Sequence, residues 1–300
     1  MARSLPPLAA VRAFEAAARH LSFTRAADEL GMTQAAVSYQ IRLLEDRVGG
    51  PLFLRQPRGV ALTDTGARLA PAVGEAFSRL RSTFEDVGQA AGGVLTVSVT
   101  ETFAANWLVP RLGAFQVANP AFAVRLRVEA RLVDFAREDV DVAVRTGDGA
   151  WSNLAAHRLM ELSYTPMLSP ALLKATPVKL PIDLLKLPLV DPADPWWADW
   201  FSAAGVDPGD VLDRPGVHLD TQALAGTVAL AGHGVAMLSP VFFAAELASG
   251  RLIQPFPLTR TDTRSYWLVY PESRRRSPRI RAFRDWILAE IGAAGDAPKT

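Results

Sequence analysis

Apolar residues recur at helical spacing in the first third of the chain. Leu8, Val11 and Phe14 lie three residues apart and predict a first helix that packs on one face. A second, shorter helix is predicted after Ser22, which is a suitable N-cap, and it ends at Gly31, which suits a left-handed helix end. Small alanines on this second helix allow another helix to cross it closely.

A third helix is predicted from Gln34 to Val48, with Thr33 as its N-cap. Its apolar stripe is formed by Val37, Ile41, Leu44 and Val48. Four residues off that stripe can each donate hydrogen bonds, and none of the four is a carboxylate: Gln34, Ser38, Tyr39 and Arg42. Such a face suits the major groove of DNA, with base edges near the start of the helix. An ordinary helical bundle with a solvated polar face is the alternative.

A short hairpin after this helix favours the DNA-binding interpretation. Residues 51–55 and 59–63 are strand-like, and Gln56-Pro57-Arg58 forms the turn between them. Arg55 and Arg58 are placed to contact phosphate or the minor groove, although either could be an ordinary solvated arginine. The first 62 residues hold eight arginines against five carboxylates, a net charge of +3.

A long helix is predicted next, with Asp64 as its N-cap. Its apolar positions alternate spacings of four and three: Leu69, Val73, Ala76, Leu80, Thr83 and Val87. Phe77 and Phe84 widen this stripe. The stripe needs a partner, which is either the remainder of the chain or, as we favour, a second copy of the same helix. Residues 88–93 are glycine-rich and predict a linker.

Strands and helices alternate over the remaining two hundred residues, which predicts an α/β sheet with both faces covered. The predicted strands are 94–99, 124–128, 141–144, 164–168, 217–219, 235–238 and 266–270. The predicted helices are 106–117, 171–175, 196–204, 221–231 and 279–291.

Ligands of such sheets bind where strands end and helices begin. Three positions meet this condition: Thr100-Glu101-Thr102 after the first strand, Asp220-Thr221 before a helix, and Arg145 at the end of a buried strand. Tyr266 lies where the chain returns to the first part of the sheet. The alternatives are structural, since Thr102 and Thr221 could be N-caps and Arg145 an ion-pair partner.

Composition excludes several classes of protein. Cysteine is absent and net charge is +1, so thiol chemistry is excluded and any nucleic-acid footprint is local. The four histidines form no zinc-type pair, and the motifs of serine hydrolases and phosphate loops are missing. We therefore expect a regulator rather than an enzyme, without metal or cofactor. Neither a secretion signal nor a membrane span is apparent, which predicts a cytoplasmic protein and disfavours a transport-type solute-binding protein.

The N-terminal motifs resemble those of the LysR-type transcriptional regulators. The matching segments are residues 22–30, 33–41, 44–45, 52–55 and 62–66. One departure is Ala35, where many members carry proline, and alanine is equally compatible with a helix. The resemblance implies a winged helix-turn-helix over residues 1–63, a linker helix and hinge over 64–91, and an effector-binding domain over 92–300.

That effector domain would be a two-lobed α/β fold like the periplasmic binding proteins, with lobe I formed by residues 92–162 and 268–291 and lobe II by 163–267. The implied partners are double-stranded DNA, a small-molecule effector and, for an activator, RNA polymerase. A homodimer through the linker helix and a homotetramer are implied as well. The expected DNA contacts are Thr33, Gln34, Ala35, Ser38, Tyr39, Arg42, Arg55 and Arg58. The expected effector contacts are Thr100, Glu101, Thr102, Asp134, Arg145, Thr221 and Tyr266.

Within the family, the chain looks like the subgroup of glycine-cleavage and β-lactamase regulators. Thr102, Asp134, Thr221 and Tyr266 match the cell-wall-peptide pocket of the latter. Glu101 departs from the pattern, because the subgroup tends to carry a small or apolar residue there. A carboxylate at that position would repel an anionic muropeptide.

Overall fold

The computed structural model describes residues 5–56, 59–88 and 93–295. The chain divides into two compact units. The first contains residues 1–91 and 134–139, and the second contains residues 92–133 and 140–300.

Three helices open the first unit, as predicted: α1 (Leu8–His20), α2 (Phe23–Leu30) and α3 (Gln34–Val48). Both predicted N-caps are confirmed, since Ser22 Oγ accepts from the amide of Arg25 at 3.3 Å and Thr33 Oγ1 accepts from the amide of Ala36 at 3.2 Å. Gly31 is left-handed, with φ of 65°. Each cap satisfies an amide that the first helical turn leaves free, so these residues begin the helices.

The apolar stripe of α3 packs into the core of this unit. Val37, Ile41 and Leu44 are at most 2% exposed and surround Phe14 of α1. Burying each such side chain contributes about 1.5–3 kcal/mol. The last predicted member, Val48, is 41% exposed and lies outside the core, because the helix ends there.

A two-stranded wing follows α3. Strands β1 (Phe53–Gln56) and β2 (Gly59–Leu62) are antiparallel, with Phe53 opposite Leu62. The long helix α4 covers Asp64–Gly88. Its predicted N-cap, Asp64, is wrong: the cap is Thr63, whose Oγ1 accepts from the amide of Gly66 at 3.0 Å. Asp64 lies in the first turn, where a carboxylate interacts favourably with the helix dipole.

The second unit is built on a mixed sheet. Its strands are β3 (Val94–Val99), β4 (Ala123–Val128), β5 (Val142–Gly147), β6 (Leu154–Met167), β7 (Ala236–Leu238) and β8 (Arg260–Pro271). Over the described residues the strand order is β4-β3-β5-β8-β6-β7. β3 is parallel to β4 and to β5, whereas β8 is antiparallel to β5 and to β6.

Two long strands cross this unit, and the sequence pattern predicted only part of each. β6 has 14 residues and β8 has 12, whereas the predictions covered 164–168 and 266–270. The missed half of β6 alternates with charged residues such as Arg158 and Glu161, so it lacks a continuous apolar run. Pairing with β8 organises it, with register shifts between Arg158 and Met160 and between Glu161 and Ser163.

Helices cover the sheet of the second unit. They are α5 (Glu101–Phe103), α6 (Val109–Ala118), α7 (Pro170–Ala175), α8 (Pro195–Ala203), α9 (Gln222–Leu230), α10 (Ala244–Ala248) and α11 (Pro278–Gly295). Short 3₁₀ turns cover Pro181–Lys186, Gly209–Asp213 and Glu272–Arg274.

Two predicted elements of this unit are wrong. The helix expected from residue 106 begins at Glu101, and α5 joins α6 through a π-helical stretch, Ala104–Leu108. Residues 217–219 do not form a strand. Their backbone makes one hydrogen bond to a neighbouring segment, in which the Val217 carbonyl accepts from the amide of Asp191, and one such bond does not form a ladder.

Candidate functional site

The outward stripe of α3 is exposed as predicted. Gln34, Ala35 and Arg42 are exposed, and Tyr39 has 57% of its surface accessible. Ser38 is half-buried, and its carbonyl accepts a bond from Arg42 Nε at 3.4 Å. Hydroxyl, amide, phenol and guanidinium groups thus lie together on residues 34–42, a segment without carboxylates at the start of the helix, and this arrangement suits base edges and phosphates.

The residue that caps this helix is also exposed. Thr33 uses its hydroxyl oxygen to accept from the amide of Ala36, so its hydroxyl hydrogen remains available to an external acceptor. On the wing, Arg55 is exposed and lies opposite Val60. Arg58, the other predicted wing contact, lies outside the described residues.

One carboxylate joins the wing to α3. Glu45 Oε1 accepts from the amides of Leu52 and Phe53 at 2.8 and 3.4 Å. The carbonyl of Leu52 accepts from the amide of Thr63, and Thr63 Oγ1 donates to the carbonyl of Pro51 at 2.9 Å. The start of the wing is therefore tied to α3 on one side and to the start of α4 on the other.

An ion-pair cluster holds α1 and α2 together behind this surface. Arg19 pairs with Glu29 at 2.5 Å and with Glu15 at 3.2 Å, and His20 Nε2 lies 2.6 Å from Glu29 Oε2. The Arg19 hydrogen bond lowers the pKa of Glu29 to about 2. These charges satisfy one another, so we give the cluster a structural role.

A cavity of about 490 Å³ lies in the second unit, at the ends of its strands. It brings together five of the seven predicted effector contacts: Thr100, Glu101, Thr102, Thr221 and Tyr266. Residues far apart in the sequence therefore line one cavity, and its volume is within the range of small-molecule sites.

Direct hydrogen bonds join the two sides of this cavity. Thr221 Oγ1 donates to Glu101 Oε2 at 3.1 Å and also caps α9, accepting from the amide of Leu224. Thr102 Oγ1 accepts from the amide of Ala223 at 3.1 Å. The capping alternative for Thr221 is thus compatible with a place in the cavity wall. Thr102 differs, because its hydroxyl oxygen satisfies the amide of Ala223 in the first turn of α9, a helix that is distant in sequence.

Tyr266 is a buried aromatic residue of the cavity lining. It is 5% exposed, and its ring lies 5.4 Å from that of Phe103 and 5.2 Å from that of Phe242. Burial raises the pKa of its phenol to about 12, with the Thr100 hydroxyl opposing that shift. The phenol therefore stays protonated at neutral pH and can donate a hydrogen bond.

Two predicted effector contacts do not line the cavity. Asp134 makes local contacts, accepting from the amide of Ala136 and pairing with Arg137. Arg145 is 3% exposed, and its guanidinium donates to the carbonyl of Arg131 and to Ser98 Oγ. Ser98 Oγ in turn donates to Glu129, which does line the cavity, so Arg145 supports the wall from behind.

Several cavity residues were not predicted: Glu129, Asp191, Asp194, Trp196, Gln222 and Arg264. Glu129 follows the carboxyl end of β4, and the sequence Asp-Pro-Ala-Asp-Pro precedes the aromatic helix α8. The first is a strand end and the second a helix N-terminus, and both are places where ligands of α/β sheets bind.

Other kinds of site are not supported by the described residues. Over residues 5–56, 59–88 and 93–295, no group of three histidine or carboxylate side chains could hold a metal ion. None of the helices described is both long and apolar enough to cross a membrane.

Family models match both units. Residues 8–67 match the bacterial regulatory helix-turn-helix of the lysR family, and residues 88–292 match the LysR substrate binding domain. The chain belongs to the LysR family of transcriptional regulators. The predicted family, the fold class and the regulatory rather than enzymatic function are confirmed.

Relatives extend over nearly the whole LysR chain. The HTH-type transcriptional activator AmpR of Pseudomonas aeruginosa is 42% identical over 98% of this chain and 100% of its own length. The glycine cleavage system transcriptional activator of Escherichia coli K12 is 40% identical, covering 98% of this chain and 96% of its own. Both belong to the subgroup that the effector-domain residues resemble.

Solved structures agree with the fold. The effector domain of AmpR from P. aeruginosa is 35% identical with a TM-score of 0.58, covering 67% of this chain and 97% of its own. ArgP from Mycobacterium tuberculosis has a TM-score of 0.67 over 96% of this chain and 98% of its own. At 22% identity, ArgP supports the fold alone.

Proposed function

We propose that this LysR regulator binds operator DNA through α3 and the wing, and that a small molecule in the cavity controls its activity. The DNA contacts in this proposal are Thr33, Gln34, Ala35, Ser38, Tyr39, Arg42, Arg55 and Arg58. The observation that carries it is the outward side of residues 34–42 of α3, which holds no carboxylate, together with the bond that joins α3 to the wing through Glu45. In this proposal residues 1–63 bind DNA, 64–91 link, and 92–300 bind the effector.

A gel-shift experiment tests DNA binding directly. The purified chain should retard a fragment carrying its own upstream region at low salt, and retardation should weaken as salt rises. Failure to retard that fragment at low salt would contradict the proposal.

Mutations should distinguish the residues that contact base edges from those that contact phosphates. Ser38→Ala and Tyr39→Ala should each reduce the preference for the operator over random DNA by about 1–3 kcal/mol. Arg55→Ala should weaken binding to both sequences equally and lower the salt slope by about one. Fluorescence anisotropy over a salt series measures both quantities.

Arg12→Ala is the matched control, because Arg12 is an exposed arginine of α1 outside the α3 surface and the wing. It should leave operator preference and salt slope close to the parent values. An unchanged sequence preference in Ser38→Ala would show that α3 does not read bases as proposed.

The linker helix is proposed to pair with a second copy. Leu80, on the predicted heptad stripe, is 45% exposed, and Phe84, which widens that stripe, is 74% exposed. Exposed apolar side chains at this spacing are typical of a two-stranded helical interface. A dimer would place two α3 helices on successive major grooves, about 34 Å apart.

Phe84→Glu should convert the dimer to monomers and remove cooperative operator binding, because it places a charge in an apolar interface. Light scattering coupled to size-exclusion chromatography measures the mass. Glu75→Gln, at an exposed polar position of the same helix, is the control and should stay dimeric. A Phe84→Glu protein with the parent mass would exclude this interface.

The effector is proposed to change how the two lobes close and thereby how dimers assemble into a tetramer on DNA. If the regulator activates transcription, it would do so by contacting RNA polymerase. Because a bacterial chromosome lies in the cytoplasm, we propose that compartment. The supporting contacts across the cavity are those of Glu101 with Thr221 and of Thr102 with Ala223.

A further inference from the structure

We infer that the effector of this regulator is a small organic cation, carrying amine or guanidinium groups. This inference rests on the proposed role of the cavity as the effector site, and it adds the chemical class of the ligand. Within that class, a diamine, a basic amino acid or an aminosugar fits a cavity of about 490 Å³.

Formal charge on the cavity lining is strongly one-sided. One guanidinium, Arg264, faces five carboxylates: Glu101, Glu129, Asp191, Asp194 and Asp220. Arg264 is already engaged, since its Nε and Nη2 donate to the two carboxylate oxygens of Asp262 at 3.0 and 2.9 Å. Because Asp262 already neutralises Arg264, this guanidinium does not offset the negative charge of the five carboxylates on the lining.

Two of the carboxylates have basic neighbours. Glu129 pairs with Arg131 at 2.9 Å, and Asp191 Oδ1 lies 2.7 Å from His218 Nδ1. The Arg131 contact offsets the charge of Glu129, and both Arg131 and His218 are exposed.

The other three carboxylates are held by neutral groups or lie exposed. Glu101 accepts from the Thr221 hydroxyl, and Asp194 accepts from the amide of Trp196. Asp220 is exposed at the mouth. Burial raises the pKa of Asp194, and the negative charges of Asp191 and Asp262 raise it further against the opposing effects of Trp196 N–H and Arg264. Burial and the neighbouring carboxylates together thus disfavour the ionised form of Asp194.

A cavity lined by one sign of charge concentrates ions of the opposite sign, because its low-dielectric walls focus the field. An added carboxylate or phosphate would meet Glu101 and Asp194, and the guanidinium on the lining, Arg264, is already paired with Asp262. An ammonium group would instead lower the energy of both. The same field disfavours an anionic cell-wall peptide, the ligand that the matching threonines and tyrosine suggest.

An aromatic wall supports the same ligand class. Trp196 lines the cavity beside Asp194 and is stacked on Tyr164 with ring centroids 4.4 Å apart. Its Nε1 donates to Asp262 at 3.1 Å, which fixes the ring. A fixed indole close to carboxylates is a favourable neighbour for organic cations through cation–π attraction.

Isothermal titration calorimetry of the full-length protein tests this inference. The cationic probes are 1,4-diaminobutane, L-arginine and glucosamine, and the anionic probes are L-glutamate and an N-acetylmuramyl peptide. At least one cationic probe should bind, and the anionic probes should not. The double variant Glu101→Gln/Asp220→Asn should weaken cation binding by at least about tenfold, because it removes two charges while keeping hydrogen-bonding groups.

Glu161→Gln is the matched control, because Glu161 is an exposed carboxylate of β6 paired with Arg158 away from the cavity lining. It should bind the cation with parent affinity. The inference is overturned if an anionic probe binds, if none of the cationic probes binds, or if the double variant binds the cation as tightly as Glu161→Gln does. A protein that retards operator DNA but fails these tests refutes the ligand class alone, whereas loss of DNA retardation refutes the proposed function.

Discussion

Replacing Gly66 with valine is expected to weaken operator binding by at least about tenfold while leaving the second unit folded. A Cβ at this position of α4 would lie 2.2 Å from the carbonyl oxygen of Leu52, which is a backbone atom and cannot rotate away. Leu52 is also bonded through its amide to Glu45, so the strand can move only by breaking the connection between α3 and the wing. Overpacking of this kind costs about 1–3 kcal/mol or more.

Two measurements separate this effect from general unfolding. Gel shift should show operator affinity reduced by at least about tenfold, the equivalent of some 1.4 kcal/mol. Tryptophan fluorescence during thermal unfolding should be unchanged, because all seven tryptophans lie in the second unit, between Trp107 and Trp286.

Gly74→Ala on the same helix is the control. A Cβ at Gly74 meets nothing within 4 Å, and alanine favours a helix over glycine by about 1 kcal/mol. This variant should bind DNA like the parent. Parent-like operator binding by Gly66→Val would contradict the role given to the contact with Leu52.

Arg279→Ala is expected to give the largest loss of stability in the second unit. Arg279 donates through Nε and Nη2 to Asp141 Oδ1 at 3.1 and 3.0 Å, and Asp141 is 3% exposed. Asp141 Oδ2 accepts from the amide of Thr96 at 2.8 Å, so the pair ties α11 to β3. Removing Arg279 takes a hydrogen-bonded cation away from a buried carboxylate, a kind of change that costs roughly 3–5 kcal/mol.

Urea unfolding followed by tryptophan fluorescence measures this loss. Burial raises the pKa of Asp141 in spite of the neighbouring Arg279, so desolvation offsets much of what the ion pair contributes. The double variant Asp141→Asn/Arg279→Met should therefore lose much less stability than Arg279→Ala. Equal losses in the two proteins would mean that the cost comes from lost packing rather than from an unpaired charge.

Local structure in the first unit was predictable because its determinants are close in sequence. A cap bonds an amide three residues away, as Ser22 and Thr33 do, and an apolar stripe repeats with each helical turn. Thr63 shows where this local reasoning fails. Both Thr63 and Asp64 are good capping residues. Thr63 is the one that caps the helix, and its hydroxyl also donates to the carbonyl of Pro51, twelve residues earlier.

The sequence by itself determined the family, the helices that form the candidate DNA-binding surface, and the positions at strand ends where a ligand could bind. Only the tertiary structure decided which of those positions share a cavity. Thr102 and Thr221 meet across it, whereas Arg145 is buried behind its wall through bonds to Ser98 and the backbone of Arg131. Asp134 makes local contacts instead.

The charge of that cavity was also a tertiary result. Glu101, Glu129, Asp191, Asp194 and Asp220 come from segments up to 119 residues apart, and none of those segments is acidic enough to stand out alone in a chain whose net charge is +1. Sheet order and strand crossing bring these carboxylates together. Helical periodicity and capping act over a few residues, whereas the electric field of a cavity depends on which distant residues the chain places around it.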